Sequence, residues 1–494
     1  MADVIEQGVH TYSAEEGYVP PTQPEVCRHL EWFKDQKLAL MMHFGLYAQL
    51  GIVASWALCG EAQNWARQEN DGMAPTGTAF QKQYFGLKRT FNPIRMQPDE
   101  WADLAARNGF RYLIFTTKHH DGFCLFDTKQ TDFKTTDAEC PFHTHPCADV
   151  TRSVFDAFRA RGMGIGAYFS KPDWHCPWYW AEGMEKPVGA TKNPTYTPEQ
   201  HPELWEKFVR FTHNQMMELL TGYGKIDILW LDGGQVNPHI SQREPNTPDQ
   251  DIRMDELVAQ ARKSQPGLIV VDRTVGGANE NYITPEGVVP DHRIAVPWES
   301  CVPLGRDFNY IFDDDYKSPR ELVQLLVDVI CRGGNLALNV SPQPDGRLPD
   351  RAVRSLDGLG AWLRSNGEAV YGTRPCAPYF AGRISYTQSK DQKSRYAFYA
   401  VREGEKLGKT VVLPLAETPK HVELLDGGER PFKRVKVDSP EFHAKGLHEG
   451  VEVSLPTWLE EACPLTLAFK VEMHNPGKFA ALKRDDLTLY LRAP

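Results

Sequence analysis

Five apolar runs of this chain each lead to a side chain that can carry a proton, attack an electrophile or grip a hydroxyl. Leu38-Ala-Leu-Met-Met ends at His43, and Tyr112-Leu-Ile-Phe-Thr-Thr117 leads into Lys118-His119-His120-Asp121. Gly164-Ile-Gly-Ala precedes Tyr168 and Ser170, Asp227-Ile-Leu-Trp-Leu231 precedes Asp232, and Leu268-Ile-Val-Val271 precedes Arg273. A single polar ending means little, since many only cap a helix. If the runs are parallel strands of one sheet, all five endings open on the same face, and their convergence marks a candidate site.

Asp232 is the sharpest of these. It sits in Trp230-Leu-Asp-Gly-Gly234, where the glycine pair permits a tight turn and leaves room for a ligand beside the carboxylate. Its competing role is an N-cap, but residues 235–250 read as a long Pro-containing loop and no helix begins at once. His119 and His120 are adjacent, so on a regular strand they would face opposite ways, whereas a metal pair favours alternate positions. Hydrogen bonds to hydroxyls suit them better, and Asp121 could orient one imidazole. The loop Asp173-Trp-His-Cys-Pro-Trp-Tyr-Trp180 is aromatic enough to offer flat faces to a ligand or to pack beneath itself. Cys140, His143, His145 and Cys147 carry metal-ligating atoms, but their spacing fits no standard zinc pattern, and the segment reads as a barrel loop.

These residues need elements to hold them. Helical patterns over 97–109, 148–161, 202–220, 252–264 and 319–331 alternate with the apolar runs, and Asn335-Leu-Ala-Leu-Asn339 adds another strand. That alternation predicts βαβ units and a parallel sheet. The span favours a closed (β/α) TIM-like barrel over an open sheet, and no G-x-G-x-x-G or Walker sequence argues for the latter. After residue 373 short strand-like runs near 396–401, 410–413, 421–425, 450–455 and 465–469 follow without helical period, the pattern of an antiparallel β-sandwich. The expected division is an N-terminal extension at 1–28, a catalytic barrel at 29–373 and a sandwich at 374–494.

The formal net charge of −10 disfavours nucleic acid and anionic membrane as partners, since both are polyanions, while neutral sugars stay compatible. No run of 18 apolar residues spans a bilayer. Met-Ala-Asp-Val-Ile-Glu-Gln has neither a basic nor an apolar leader region, so a cytoplasmic location is expected and the 10 Cys are read as reduced thiols. A homo-oligomer is compatible with this composition.

The strand ends sit in blocks that resemble the α-L-fucosidases of glycoside hydrolase family 29. The blocks are Met42-His-Phe-Gly-Leu-Tyr47, Thr117-Lys-His-His-Asp-Gly-Phe123, Ile165-Gly-Ala-Tyr-Phe-Ser170 and Leu229-Trp-Leu-Asp-Gly233. Trp298-Glu299, Gly333–Gly346 and Trp362–Gly372 continue the likeness in the same order. The resemblance implies a hydrolase that releases terminal α-L-fucose from fucosylated oligosaccharides or glycoconjugates. It places Asp232 on the nucleophile and His43, His119, His120, Tyr168, Trp230 and Arg273 on fucose-binding positions. Glu286 is the best match for the acid/base, with Glu280 and Glu299 as rivals.

One departure stands out. Many members carry Glu-Trp after the first strand, and this chain has Ser55-Trp56. Trp56 keeps a sugar contact in this reading, and Glu61 is a candidate to replace the missing carboxylate. The implied mechanism is retaining double displacement, with the two carboxylates about 5–5.5 Å apart and no metal or organic cofactor. Arg273 beside Asp232 would keep the nucleophile ionised. Two alternatives compete: a metal-dependent barrel hydrolase built on the His-rich strand ends, and a catalytically dead carbohydrate-binding protein of the same fold.

Overall fold

The computed structural model of the chain describes residues 4–7, 10–59, 66–67, 72–74, 77–180, 193, 196–245, 247–415, 417–460, 462 and 464–474. Seven parallel strands form its central sheet: β1 (Leu38–Met42), β2 (Tyr112–Lys118), β3 (Gly164–Ser170), β4 (Ile228–Asp232), β5 (Ile269–Asp272), β6 (Glu299–Pro303) and β7 (Asn335–Asn339). Their spatial order is β5-β4-β3-β2-β1-β7-β6. The gap between β5 and β6 is bridged by residues 279–287. Asn281 N donates to Val270 O and Gly287 N to Cys301 O, with Cys301 N donating to Pro285 O. The sheet thus curls into a barrel whose eighth stave is irregular.

Period-two alternation decides which side chains line the barrel. Ala39 and Met41, Tyr112 and Ile114, Tyr168, Ile228 and Trp230, Ile269 and Val271, Cys301 and Ala337 pack together in its centre. The intervening Leu38, Leu40, Met42, Leu113, Phe115, Leu229, Leu231, Leu336 and Leu338 belong to the larger core beneath the helices. His43 continues the inward phase of Ala39 and Met41, and Asp232 that of Ile228 and Trp230.

The helices around the sheet are α1 (Pro24–Gln36), α2 (Gly77–Gly86), α3 (Pro98–Arg107), α4 (Val150–Ala160), α5 (Pro202–Gly222), α6 (Met254–Ser264), α7 (Pro319–Cys331) and α8 (Asp350–Asn366). The formation of α7 has a local cause. Ser318 accepts from Glu321 N, the Glu321 carboxylate accepts from Ser318 N, and Pro319 takes the first position. Leu322, Val323, Leu326, Val329 and Ile330 then recur at helical spacing and are buried. Helix α1 straddles residue 28, and α1, α2, α8 and β6 have no counterpart among the elements expected from sequence.

Behind the barrel lie a six-stranded and a three-stranded antiparallel sheet, from Arg374–Ala381 to Thr466–Glu472. Val422, Leu424, Leu413, Val451, Val453, Leu467 and Phe469 fill the space between them. Trp362 Nε1 of α8 donates to Thr466 O at 2.8 Å, and Arg320 of α7 donates to Val401 O at 2.7 Å. The fold is therefore a (β/α) barrel followed by a β-sandwich. No described helix is long and apolar enough to cross a membrane.

Candidate active site

The site opens at the C-terminal ends of the barrel strands. Asp232 closes β4, directly opposite Ser170 of β3, just as Trp230 lies opposite Tyr168. Oδ1 of Asp232 accepts from Arg273 Nη1 at 2.9 Å, and Oδ2 accepts from Tyr168 Oη at 2.6 Å and faces His120 Nε2 at 3.3 Å. Burial alone would raise this carboxyl. The hydrogen bond from His120, the Arg273 charge and the hydrogen bond from Tyr168 outweigh it and hold the group well below the ordinary carboxylate range. An ionised oxygen therefore faces the opening. Gly233 makes this approach possible: its φ is +95°, and a Cβ there would collide with the Pro172 ring.

Arg273 follows β5 and is itself fixed on three sides. Nε donates to Thr284 Oγ1 at 3.1 Å, Nη2 donates to Glu286 Oε2, and the guanidinium lies 4.6 Å from the centre of the Trp230 ring. Trp230 stacks on Tyr168 at 5.1 Å between centroids. One cation thus touches both Asp232 and Glu286.

The other two glutamates are placed differently. Glu299 lies on the barrel floor, fully buried, accepting from Tyr112 Oη, from Tyr282 Oη at 3.0 Å and from Trp230 Nε1 at 3.3 Å. Burial raises its carboxyl to about 7, against the pull of those donors. Glu280 accepts from Ser13 Oγ at 2.7 Å and from the backbone N–H groups of Gly276 (2.8 Å) and Thr274 (3.2 Å). Burial raises it to about 7 as well. The Gly276-Gly277 turn that could have swung Glu280 into the site instead folds it under the N-terminal segment.

The two adjacent histidines reach the site through a bulge. Residues 112, 114 and 116 point inward, and regular alternation would send Lys118 inward too. The β2–β3 register slips after Thr116, so that Lys118 lies opposite Phe169. Lys118 then turns outward, pairs with Asp173 at 3.1 Å and covers the Phe169 ring. His119 takes the inward place, its ring parallel to Tyr168 at 6.0 Å, with His120 tilted against it at 4.4 Å. Burial, with the neighbouring imidazoles, drives His119 well below its usual pKa, so it is neutral. Asp121 orients no imidazole: it accepts from Tyr84 Oη at 2.8 Å and Phe123 N at 3.1 Å, because α2 brings Tyr84 beside it.

His43 is held by a residue that sequence reasoning missed. Asn339, at the end of β7, donates from Nδ2 to Phe308 O at 2.7 Å, so its Oδ1 accepts from His43 Nδ1 at 2.8 Å. Burial lowers the pKa of His43 and leaves it neutral, with a bare Nε2. Phe308 lies 5.6 Å from the His43 ring. A polar ending on β7 was visible in Asn335-Leu-Ala-Leu-Asn339, whereas Phe308 follows β6, a strand with no clear apolar signature. Trp56 stands 5.0 Å from His120 and 5.7 Å from Trp174, forming an aromatic wall. Trp174 is the aromatic loop's contribution. Trp178 instead packs against Phe211, while Tyr179 and Trp180 are buried. Glu61 lies outside the described residues.

Among the described residues one set of donors is compact enough for a metal: single atoms of His119, His120 and Asp232 within 4.8 Å of each other. Both oxygens of Asp232 already accept hydrogen bonds, and the Arg273 cation beside it opposes a second positive charge. The Cys140–Cys147 segment does not gather its ligands. His143 Nδ1 bonds Cys140 O, and His145 Nδ1 accepts from Cys147 N.

A barrel opening lined by carboxylates, imidazoles, an arginine and aromatic rings is the architecture of a glycoside hydrolase. The α-L-fucosidase family model matches residues 6–368. An α-L-fucosidase of Dictyostelium discoideum is 26% identical over 450 residues, covering 86% of this chain and 85% of that one. Human tissue α-L-fucosidase is 26% identical, covering 70% and 69%. Among solved structures, α-L-fucosidase isoenzyme 1 of Paenibacillus thiaminolyticus superposes with a TM-score of 0.69 at 27% identity, covering 91% of this chain and all of that one. The Thermotoga maritima α-fucosidase in complex with fucose gives 0.66 at 26%, covering 93% and 98%. The chain belongs to the α-L-fucosidase family and is a glycoside hydrolase.

Proposed function

We propose that this enzyme is a retaining exo-glycosidase that removes terminal α-L-fucose from fucosylated oligosaccharides or glycoconjugates. Asp232 is the nucleophile and Glu286 the acid/base. The observation that carries the reading is the Arg273 guanidinium donating to both carboxylates at the barrel mouth. Neither Glu280 nor Glu299 shares a hydrogen-bond partner with Asp232 among the described residues. The fucose bound in the Thermotoga maritima relative supports the choice of sugar.

In the first step Asp232 attacks the anomeric carbon while protonated Glu286 gives its proton to the departing glycosidic oxygen. A fucosyl ester forms on Asp232 and the aglycone leaves. Glu286, now a carboxylate, takes a proton from water as that water attacks the same carbon and frees Asp232. Arg273 and Tyr168 keep Asp232 ionised and aimed. His43, His119 and His120 hold hydroxyls, and Trp56 and Trp230 supply aromatic faces. The chemistry needs carboxylates alone and no cofactor.

Proton NMR of an aryl α-L-fucoside digest tests the stereochemical course. Retention makes α-L-fucose the first-formed anomer, before mutarotation. First appearance of the β anomer would overturn double displacement.

A further inference from the structure

The geometry points to Ser55 as a positioning residue: its hydroxyl donates to His119 Nδ1 and holds that imidazole as the Nε2–H tautomer, a fixed donor to one fucose hydroxyl. The inference rests on the proposed reading of the site as a fucose pocket. Ser55 is fully buried, and its Oγ is paired with His119 Nδ1. A buried hydroxyl proton needs an acceptor, and Nδ1 is the one this hydroxyl meets among the described residues. If Nδ1 carried the proton instead, the Ser55 O–H would be left unpaired, at a cost that buried donors rarely bear.

The rest of the ring leaves one polar atom for a ligand. His43, Tyr47, His120 and Tyr168 surround His119 with centroids between 4.4 and 6.0 Å away. With Nδ1 turned to Ser55, Nε2 remains. Its neighbour His43 has the opposite character, since Asn339 takes its Nδ1 proton and leaves Nε2 an acceptor. Two neutral imidazoles 5.9 Å apart therefore present one donor and one acceptor. Sugar hydroxyls, which both donate and accept, fit that pair.

The loop that carries Ser55 is held in place by the segment after β6, two strands round the barrel from β1. Asn309 Oδ1 accepts from Ala54 N at 2.7 Å, and its Nδ2 donates to Ile52 O and to Tyr310 O. Ala54 has a φ of +43°, which a non-glycine residue rarely adopts without such support.

The test joins nitrogen NMR to kinetics on Ser55→Ala and Ser55→Thr. In 15N-histidine-labelled enzyme, with the His119 signals assigned by their loss in His119→Gln, Nε2 should carry the proton and Nδ1 should not. Ser55→Ala should raise KM about 5- to 20-fold on an aryl α-L-fucoside with little change in kcat, the loss of one positioned hydrogen bond. Ser55→Thr should restore it. Among 2-, 3- and 4-deoxy fucosides, one should be bound equally by wild type and Ser55→Ala, because it lacks the hydroxyl His119 serves. A protonated Nδ1 in the wild type, or an equal penalty on every deoxy analogue, overturns the proposal. If the wild type turns over no fucoside, the functional reading fails, and the tautomer spectrum still decides the role of Ser55.

Discussion

Arg273 Nη1 donates to Asp232 Oδ1 at 2.9 Å, within a barrel mouth where the same guanidinium also donates to Glu286. The relationship couples the charge of the nucleophile to the placement of the acid/base. It also explains the Trp230 ring beneath, which supports the cation from below.

Arg273→Lys should be far from conservative. Lysine keeps a charge but loses the fork that spans two carboxylates. We expect kcat/KM on an aryl fucoside to fall about 100-fold or more, on the scale of losing preorganised charge at an active site. The pH profile gives the sign. Arg273 lowers the Asp232 pKa, and activity requires the carboxylate, so weakening that interaction should move the acidic limb of kcat/KM to higher pH. An unmoved limb would mean that Arg273 does not set the charge of Asp232.

Glu299 predicts a stability effect with the opposite sense to a surface carboxylate. Its folded-state pKa is raised to about 7 by burial, above its unfolded value near 4.5. Its favourable contribution is therefore full below about pH 4.5 and is lost as pH rises towards 7. Glu299→Gln mimics the protonated form and keeps an acceptor for Tyr282. Between pH 4.5 and 7 the wild type should lose stability relative to Glu299→Gln by a few kcal/mol, read from urea midpoints at several pH values. A constant difference across that window would contradict the buried-acid assignment.

Chelation should leave activity intact, because Ser55 engages His119, Arg273 and Tyr168 engage Asp232, and His120 faces that same carboxylate. Turnover lost in EDTA and recovered with zinc would favour a metal-dependent hydrolase at those three donors.

The acid/base assignment has a kinetic signature. A sugar alkoxide must be protonated as it leaves, whereas nitrophenolate leaves without help. Glu286→Ala should therefore lose far more kcat/KM on a natural fucoside than on a nitrophenyl one, and azide should rescue the aryl reaction. Glu280→Ala should lack that pattern, since its carboxylate is tied to Ser13 and Gly276. If the pattern appears in Glu280→Ala or Glu299→Ala and Glu286→Ala behaves as wild type, Glu286 is a bystander.

Much of this site was legible because barrel strands are apolar until they reach the opening. Asp232, Tyr168, His43 and Arg273 each break such a run, so residue type and position agree. Strand β6 hid itself. Its first residue, Glu299, serves a polar network on the barrel floor, so Glu-Ser-Cys-Val-Pro lacks an apolar signature, and Phe308 and Asn309 beyond it were invisible as site neighbours. The outward turn of Lys118 depends on a bulge, which alternation cannot foresee. The contacts Ser55–His119 and His43–Asn339 join residues 64 and 296 positions apart, the first through the pairing of β1 with β2 and the second through the pairing of β1 with β7.

The nucleophile can be captured directly. A 2-deoxy-2-fluoro-fucosyl fluoride slows both steps of double displacement but has a leaving group good enough to load the enzyme. Digestion and tandem mass spectrometry then locate the sugar. One fluorofucosyl group per chain is expected, ester-linked to Asp232 in the peptide containing Trp230-Leu-Asp-Gly-Gly234, and none in Asp232→Asn. A label on another carboxylate, or inactivation undiminished in Asp232→Asn, would contradict it.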